Sequence, residues 1–155
     1  LGVESASQKI LNDMKKGMRV KDIYYTLEQC EINKITVVPM MLVGYPTETE
    51  KEFQENIDFL HNIKKYSDSG TIFQVSLGPT LRVYEGTPLA HHFEEQGIDF
   101  SDEGGWEYGD NDQKTRIERW FEMRNTARDL GIKLAVESPL FLKERYKKIT
   151  GMDIQ

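Results

Sequence analysis

The 155-residue chain has the length of one domain and can bury a sizeable core. Its 20 basic and 26 acidic side chains leave a net charge of -6, which excludes a general nucleic-acid or anionic-membrane surface but not a local basic patch. No apolar run approaches the ~18 residues of a bilayer span, no secretory signal opens the chain, and the single cysteine, Cys30, excludes both an internal disulfide and a site of several thiolates built from this chain alone. A cytoplasmic protein without a membrane partner is expected.

The chain opens in mid-motif at Leu1-Gly2-Val3 without an initiator Met, which reads as a truncation or an excised piece. Ser5 and Ser7 precede Ile10, Leu11 and Met14, predicting a short helix capped by Ser5-x-x-Gln8 and stopped at Gly17, with Lys15 and Lys16 in its last turn. Val20, Ile23, Tyr24, Leu27 and Cys30 recur at helical spacing and predict a second helix with Cys30 on its buried stripe. Ile35 to Val43 reads as a strand buried on both faces, with Pro39 forcing a bulge or a late start.

After Gly44, overlapping capping boxes at Thr47-x-x-Glu50 and Thr49-x-x-Glu52 lead into a helix carrying Phe53, Ile57, Leu60 and Ile63. Thr71 to Leu77 is a further strand ended by Gly78-Pro79, so strand, helix and strand predict a parallel crossover. Thr87-Pro88 starts a short helix that Gly97 stops. Residues 98 to 112 show no period and read as a loop that is mobile, closes as a lid, or docks on its own domain through Trp106 and Tyr108. A helix through Ile117, Trp120, Phe121, Arg124 and Ala127 stops at Gly131, and a last strand (132 to 136) and helix (141 to 149) follow.

Two stretches carry chemistry. Gly2-Val3-Glu4-Ser5-Ala6-Ser7, with Leu11, Met14, Lys16 and Gly17 behind it, places an acid, hydroxyls and a cation near one helix start. Leu42-Val43-Gly44-Tyr45-Pro46-Thr47-Glu48-Thr49 ends a strand and opens a helix, where a glycine lets a flat ligand approach the backbone. Read on their own, Ser5 and Ser7 equally serve as helix caps, Lys16 as a dipole partner and Glu48 as a first-turn acid. His91-His92 reads as surface and Asp110-x-Asp112 as solvated, since neither supplies a convergent ligand set.

Together the two stretches resemble the later half of the radical S-adenosylmethionine (SAM) enzymes, in the cobalamin-associated, Elp3- and MiaB-like branch; Tyr84-Glu85-Gly86-Thr87-Pro88-Leu89 adds a weaker match. The resemblance covers most of residues 2 to 131 and implies an α/β fold: the C-terminal half of a TIM-type (β/α) barrel over 1-131, with a mainly helical extension over 132-155. It implies that Glu4, Ser5, Ser7 and Lys16 face the ribose and amino-acid end of SAM, that Leu42, Val43 and Gly44 pack on its adenine with Glu48 beside them, and that Arg82 and Tyr84 lie near the substrate. Thr47 stands where the family has a second glycine.

The resemblance further implies a four-iron cluster held by cysteines outside this chain, reductive SAM cleavage to a 5′-deoxyadenosyl radical that acts on an unknown substrate, and, as in many members of that branch, an attached cobalamin domain. The chain alone is then expected to be inactive, to lack a metal site, and to need the missing N-terminal half of the barrel, or a second copy through its exposed sheet edge. A non-catalytic α/β binding module and a barrel enzyme using Glu4, Glu48 or Glu50 as acid or base are the alternative readings.

Overall fold

The computed structural model describes residues 1-102, 105-136 and 139-155, and for Val136 the backbone only. Four strands and six helices lie among them: β1 (Gly2–Glu4), α1 (Gln8–Asp13), α2 (Val20–Ile32), β2 (Met40–Val43), α3 (Glu50–Asp68), β3 (Val75–Thr80), α4 (Pro88–Glu95), α5 (Gln113–Asp129), β4 (Leu134–Val136) and α6 (Leu140–Thr150). The strands form one parallel sheet in the order β1-β2-β3-β4. That succession is what right-handed strand, helix, strand units build, and a half barrel is compatible with it.

Strand alternation divides the sheet into two faces. Val3, Met41, Val43, Val75 and Leu77 are buried in one core with Leu11, Leu27, Phe53, Leu60, Ile117 and Trp120 from the helices. On the other face Gly2, Met40, Ser76 and Ala135 stand in register across all four strands, and Met40 remains 53% exposed. One face is therefore a hydrophobic core and the other an open floor of mostly small side chains.

Local physics accounts for the element ends. Helix α1 stops at Asp13, earlier than the glycine at 17 suggests, because Lys15 takes the left-handed conformation (φ 55°) and the Lys16 N–H reaches back to Leu11 O at 3.0 Å. The strand expected from Ile35 shortens to β2: Pro39 lacks an N–H, and Val37 makes only an isolated bridge to Ile72. Strand β3 runs on through Gly78-Pro79 to Thr80, and the β2/β3 register shifts between Met41 and Val43.

Of the two overlapping capping boxes, Thr49 and Glu52 make the one used: the Thr49 N–H donates to Glu52 Oε2 at 3.0 Å. Thr87 caps α4, accepting from the Ala90 N–H at 3.2 Å with Pro88 at the first helical position. Cys30 is buried on α2, as its helical stripe predicts. No helix among the described residues is long and apolar enough to cross a membrane.

Helices α2 and α3 meet where Phe59, fully buried, packs its ring 5.6 Å from that of Tyr24. Phe59→Ala should lower unfolding free energy by about 3–5 kcal/mol, read from urea melts; a loss under about 1 kcal/mol would show that this contact is not part of the core.

Candidate functional site

Parallel strands bring the C-terminal ends of β1, β2 and β3 to one edge, the edge at which open and closed α/β sheets bind ligands. Glu4 closes β1 there with φ 63°, an uncommon conformation for a residue with a side chain. Its carboxylate accepts from Lys16 Nζ at 2.9 Å, and both side chains keep partial solvent access. A cation and a carboxylate thus stand side by side at the rim, the donor set a zwitterionic amino-acid group requires.

Ser5 and Ser7 lie elsewhere. Ser5 is fully buried, donates to Asn56 Oδ1 at 3.0 Å and accepts from the Ser7 N–H at 3.1 Å, while Asn56 Oδ1 also accepts from the Ala6 N–H at 2.7 Å. This cluster bolts the β1 to α1 turn onto α3. Ser7 is the N-cap of α1, equally buried, and its hydroxyl is unpaired. Of the first motif, Glu4 and Lys16 are the members at the rim.

The second motif is a sharp turn locked from inside the protein. Gly44 has φ 88°, and a Cβ at this position would come within 2.4 Å of Arg116 Cδ on α5. A side chain is excluded both by conformation and by Arg116, so the glycine faces a protein neighbour on that side. Its N–H donates to Glu48 Oε1 at 3.2 Å. Leu42 is half-buried toward the open floor, whereas Val43 points into the core and its carbonyl accepts from the Leu81 N–H at 3.0 Å.

Glu48 is 2% exposed behind this turn. Arg119 of α5 donates to its backbone carbonyl at 3.1 Å and stands 3.4 Å from its Oε1, while Oε2 has no partner. Burial, opposed by the Arg119 charge and the Gly44 N–H, pushes the carboxyl up from 4.5 to about 7. Glu48 is thus an internal latch of the motif, holding the turn to α5.

Further contacts join the two motifs. The Tyr45 hydroxyl donates to Asp13 O at 3.2 Å, the Thr47 hydroxyl meets the Asp13 carboxylate, and Lys9 Nζ bridges Asp13 Oδ2 at 2.7 Å and Thr47 O at 3.0 Å. Above the turn lies a cleft of about 650 Å³, walled by Asp13, Met14 and Lys15 on one side and by Thr87, Pro88, Leu89, His92 and Tyr108 on the other. Arg82 and Tyr84 follow β3 at the same edge, and Tyr84 is 65% exposed.

The segment 105 to 112 docks on its own domain. Trp106 is buried and donates from Nε1 to Leu81 O at 3.2 Å, Asn111 donates to Tyr45 O at 2.7 Å, and Asp112 caps α5 by accepting from the Thr115 N–H at 2.6 Å. Asn111, Arg116 and Arg119 escaped the sequence reading. The available signal was the presence of two arginines three residues apart on the side of α5 that also carries Trp120 and Met123. His91 pairs with Glu94 at 3.1 Å on the surface, and no group of three or more His, Cys, Asp or Glu among the described residues could hold a metal.

No protein-family model matches the chain. Curated proteins do. Over 60 residues it is 38% identical to the ribosomal protein uS12 methylthiotransferase RimO of Sulfurihydrogenibium sp., which is 37% of this chain and 14% of that protein. Over 95 residues it is 30% identical to the tRNA-2-methylthio-N(6)-dimethylallyladenosine synthase of Corynebacterium diphtheriae, covering 60% and 17% of the two chains. A probable threonylcarbamoyladenosine tRNA methylthiotransferase of Methanothermobacter thermautotrophicus is 33% identical over 66 residues, covering 41% and 16%. Its relatives are methylthiotransferases. They belong to the radical SAM branch that the motifs resemble, and the chain spans between 14% and 17% of the length of these three.

The Glu48 latch has a pH signature. The folded protein keeps a proton on Glu48 that the unfolded chain releases between pH 4.5 and about 7, so stability falls as pH rises through that window. Glu48→Gln should remove a part of that fall on the order of 3 kcal/mol, measured by urea unfolding across the window. Identical pH slopes for variant and parent would contradict a buried, protonated Glu48.

Proposed function

We propose that this chain is part of a radical SAM iron-sulfur enzyme related to the methylthiotransferases and supplies part of its SAM pocket. The observation that carries the reading is the Glu4–Lys16 pair at the C-terminal edge of the sheet, one strand away from the Leu42–Gly44 backbone. Lys16 suits the SAM carboxylate, and Glu4 suits its ammonium or ribose hydroxyls. The half-buried side chain of Leu42, beside the backbone at the strand end, suits the apolar adenine ring. Ser5 and Glu48 support this pocket from behind by fixing the two turns.

The fit is partial by chemistry. A cluster held by three thiolates cannot be built from the single buried Cys30, so its ligands belong to a segment outside this chain. When present, such a cluster supplies the electron for reductive cleavage of SAM. What this chain's own residues do is bind and orient: Lys16 and Glu4 hold the polar end, and the strand ends hold the ring.

The open floor of Gly2, Met40, Ser76 and Ala135 is the face that an N-terminal half barrel would close, with 1-131 completing the barrel and 132-155 extending it. In the absence of that half, the same face or the β1 edge is available to a second copy. By their names, relatives act on tRNA or on ribosomal protein uS12, which supports a macromolecular substrate of that kind for the full-length protein.

The test is anaerobic production of the full-length protein with its cluster, reduction with dithionite and SAM, and chromatography of the products. Formation of 5′-deoxyadenosine is expected; intact SAM in a protein with a reduced four-iron cluster would contradict the reading. In that protein Lys16→Ala should weaken SAM binding about 10- to 100-fold by calorimetry, the range for losing a charge-assisted hydrogen bond. Unchanged affinity would remove Lys16 from the pocket.

A further inference from the structure

The turn that ends β2 is gripped from the side opposite the open floor by three buried residues outside the motifs. The Arg116 stem lies flat against Gly44, filling the space a Cβ would need. Its guanidinium sits 3.6 Å from the ring centre of Trp106 and donates to Asn111 O at 2.5 Å and Trp106 O at 2.6 Å. The Asn111 amide in turn donates to Tyr45 O at 2.7 Å and Pro46 O at 3.3 Å. Trp106 closes the set at the end of β3 through Leu81 O. Arg116, Trp106 and Asn111 are each no more than 3% exposed, so water cannot stand in for any of these bonds.

We infer that Arg116 is a positioning residue for the adenine end of the SAM pocket, acting through Asn111 and Gly44 on the Leu42–Gly44 backbone. This rests on the function proposed above. A backbone edge can read an adenine only if its N–H and C=O groups are fixed within a fraction of an ångström, and a glycine turn with φ 88° has no such rigidity of its own. Arg116 provides it from two sides: its stem bars the turn from collapsing toward α5, and its planar fork holds the segment whose amide clamps the next two carbonyls. Lysine cannot replace it, because one ammonium cannot stack on Trp106 and serve both carbonyls in the same plane.

The experiment uses the full-length, cluster-loaded protein, with Arg116→Met, Arg116→Lys and Asn111→Ala. Calorimetry is run with SAM, 5′-deoxyadenosine and methionine as separate ligands, alongside thermal melting. Both Arg116 variants and Asn111→Ala should bind SAM and 5′-deoxyadenosine about tenfold more weakly, the size of effect expected when the clamp that fixes the backbone edge is loosened by the loss of one or two hydrogen bonds, with methionine affinity unchanged. Equal weakening of all three ligands would signify a general loss of structure and overturn the inference, as would unaltered nucleoside affinity. Should Arg116→Met not fold, Asn111→Ala carries the same test, since it removes only the clamp on Tyr45 and Pro46. A parent protein that binds no SAM would instead strike the proposed function itself, separating the two failures.

Discussion

The site depends on one turn, Gly44-Tyr45-Pro46, whose shape is dictated by what is buried behind it. Glu48 takes the Gly44 N–H, Arg119 takes the Glu48 carbonyl, and Arg116 occupies the space beside the glycine. Two buried cations and a buried carboxyl group are costly to desolvate, and that cost is offset only while their hydrogen bonds to the turn and to Trp106 and Asn111 are kept. A turn held this way has few alternative conformations. It delivers the end of β2 to the rim in a fixed place, beside the Glu4–Lys16 pair on β1.

The two motifs are also mechanically one object. Asp13, at the end of α1, takes Lys9, Thr47 and Tyr45, so the helix after β1 is tied to the turn after β2. Asn56 of α3 is tied to the turn after β1. Each motif is therefore braced by the helix that follows the other strand or precedes the next. For a pocket shared between adjacent strand ends, such cross-bracing fixes the distance between the groups that meet a ligand.

Much of the fold was legible in the sequence, for identifiable reasons. Periodic apolar residues announced α2, α3 and α5, and Thr49-x-x-Glu52 and Thr87-Pro88 announced two helix starts. Gly97 and Gly131 follow α4 and α5 in the left-handed conformation as expected, whereas Lys15 ended α1 before Gly17 could, since there the left-handed position follows from hydrogen bonding rather than from composition alone. The length of β2 was hidden by the apolar run before Pro39, which pairs at Val37 only. Within the site, Glu4 and Lys16 could be found from the motif. The buried roles of Ser5, Glu48, Asn111 and Arg116 could not, because a polar residue's burial is decided by partners distant in sequence, such as Asn56 for Ser5 and Gly44 for Arg116.

The most direct measurement of the central claim is a crystal structure of the full-length protein grown with SAM. The adenine edge should lie against the Leu42–Gly44 backbone and the SAM carboxylate on Lys16, with the Gly44 turn, Glu48 and Arg116 unmoved from their positions here. SAM bound away from the β1 and β2 strand ends, or a Gly44 turn rebuilt around the ligand, would contradict that claim.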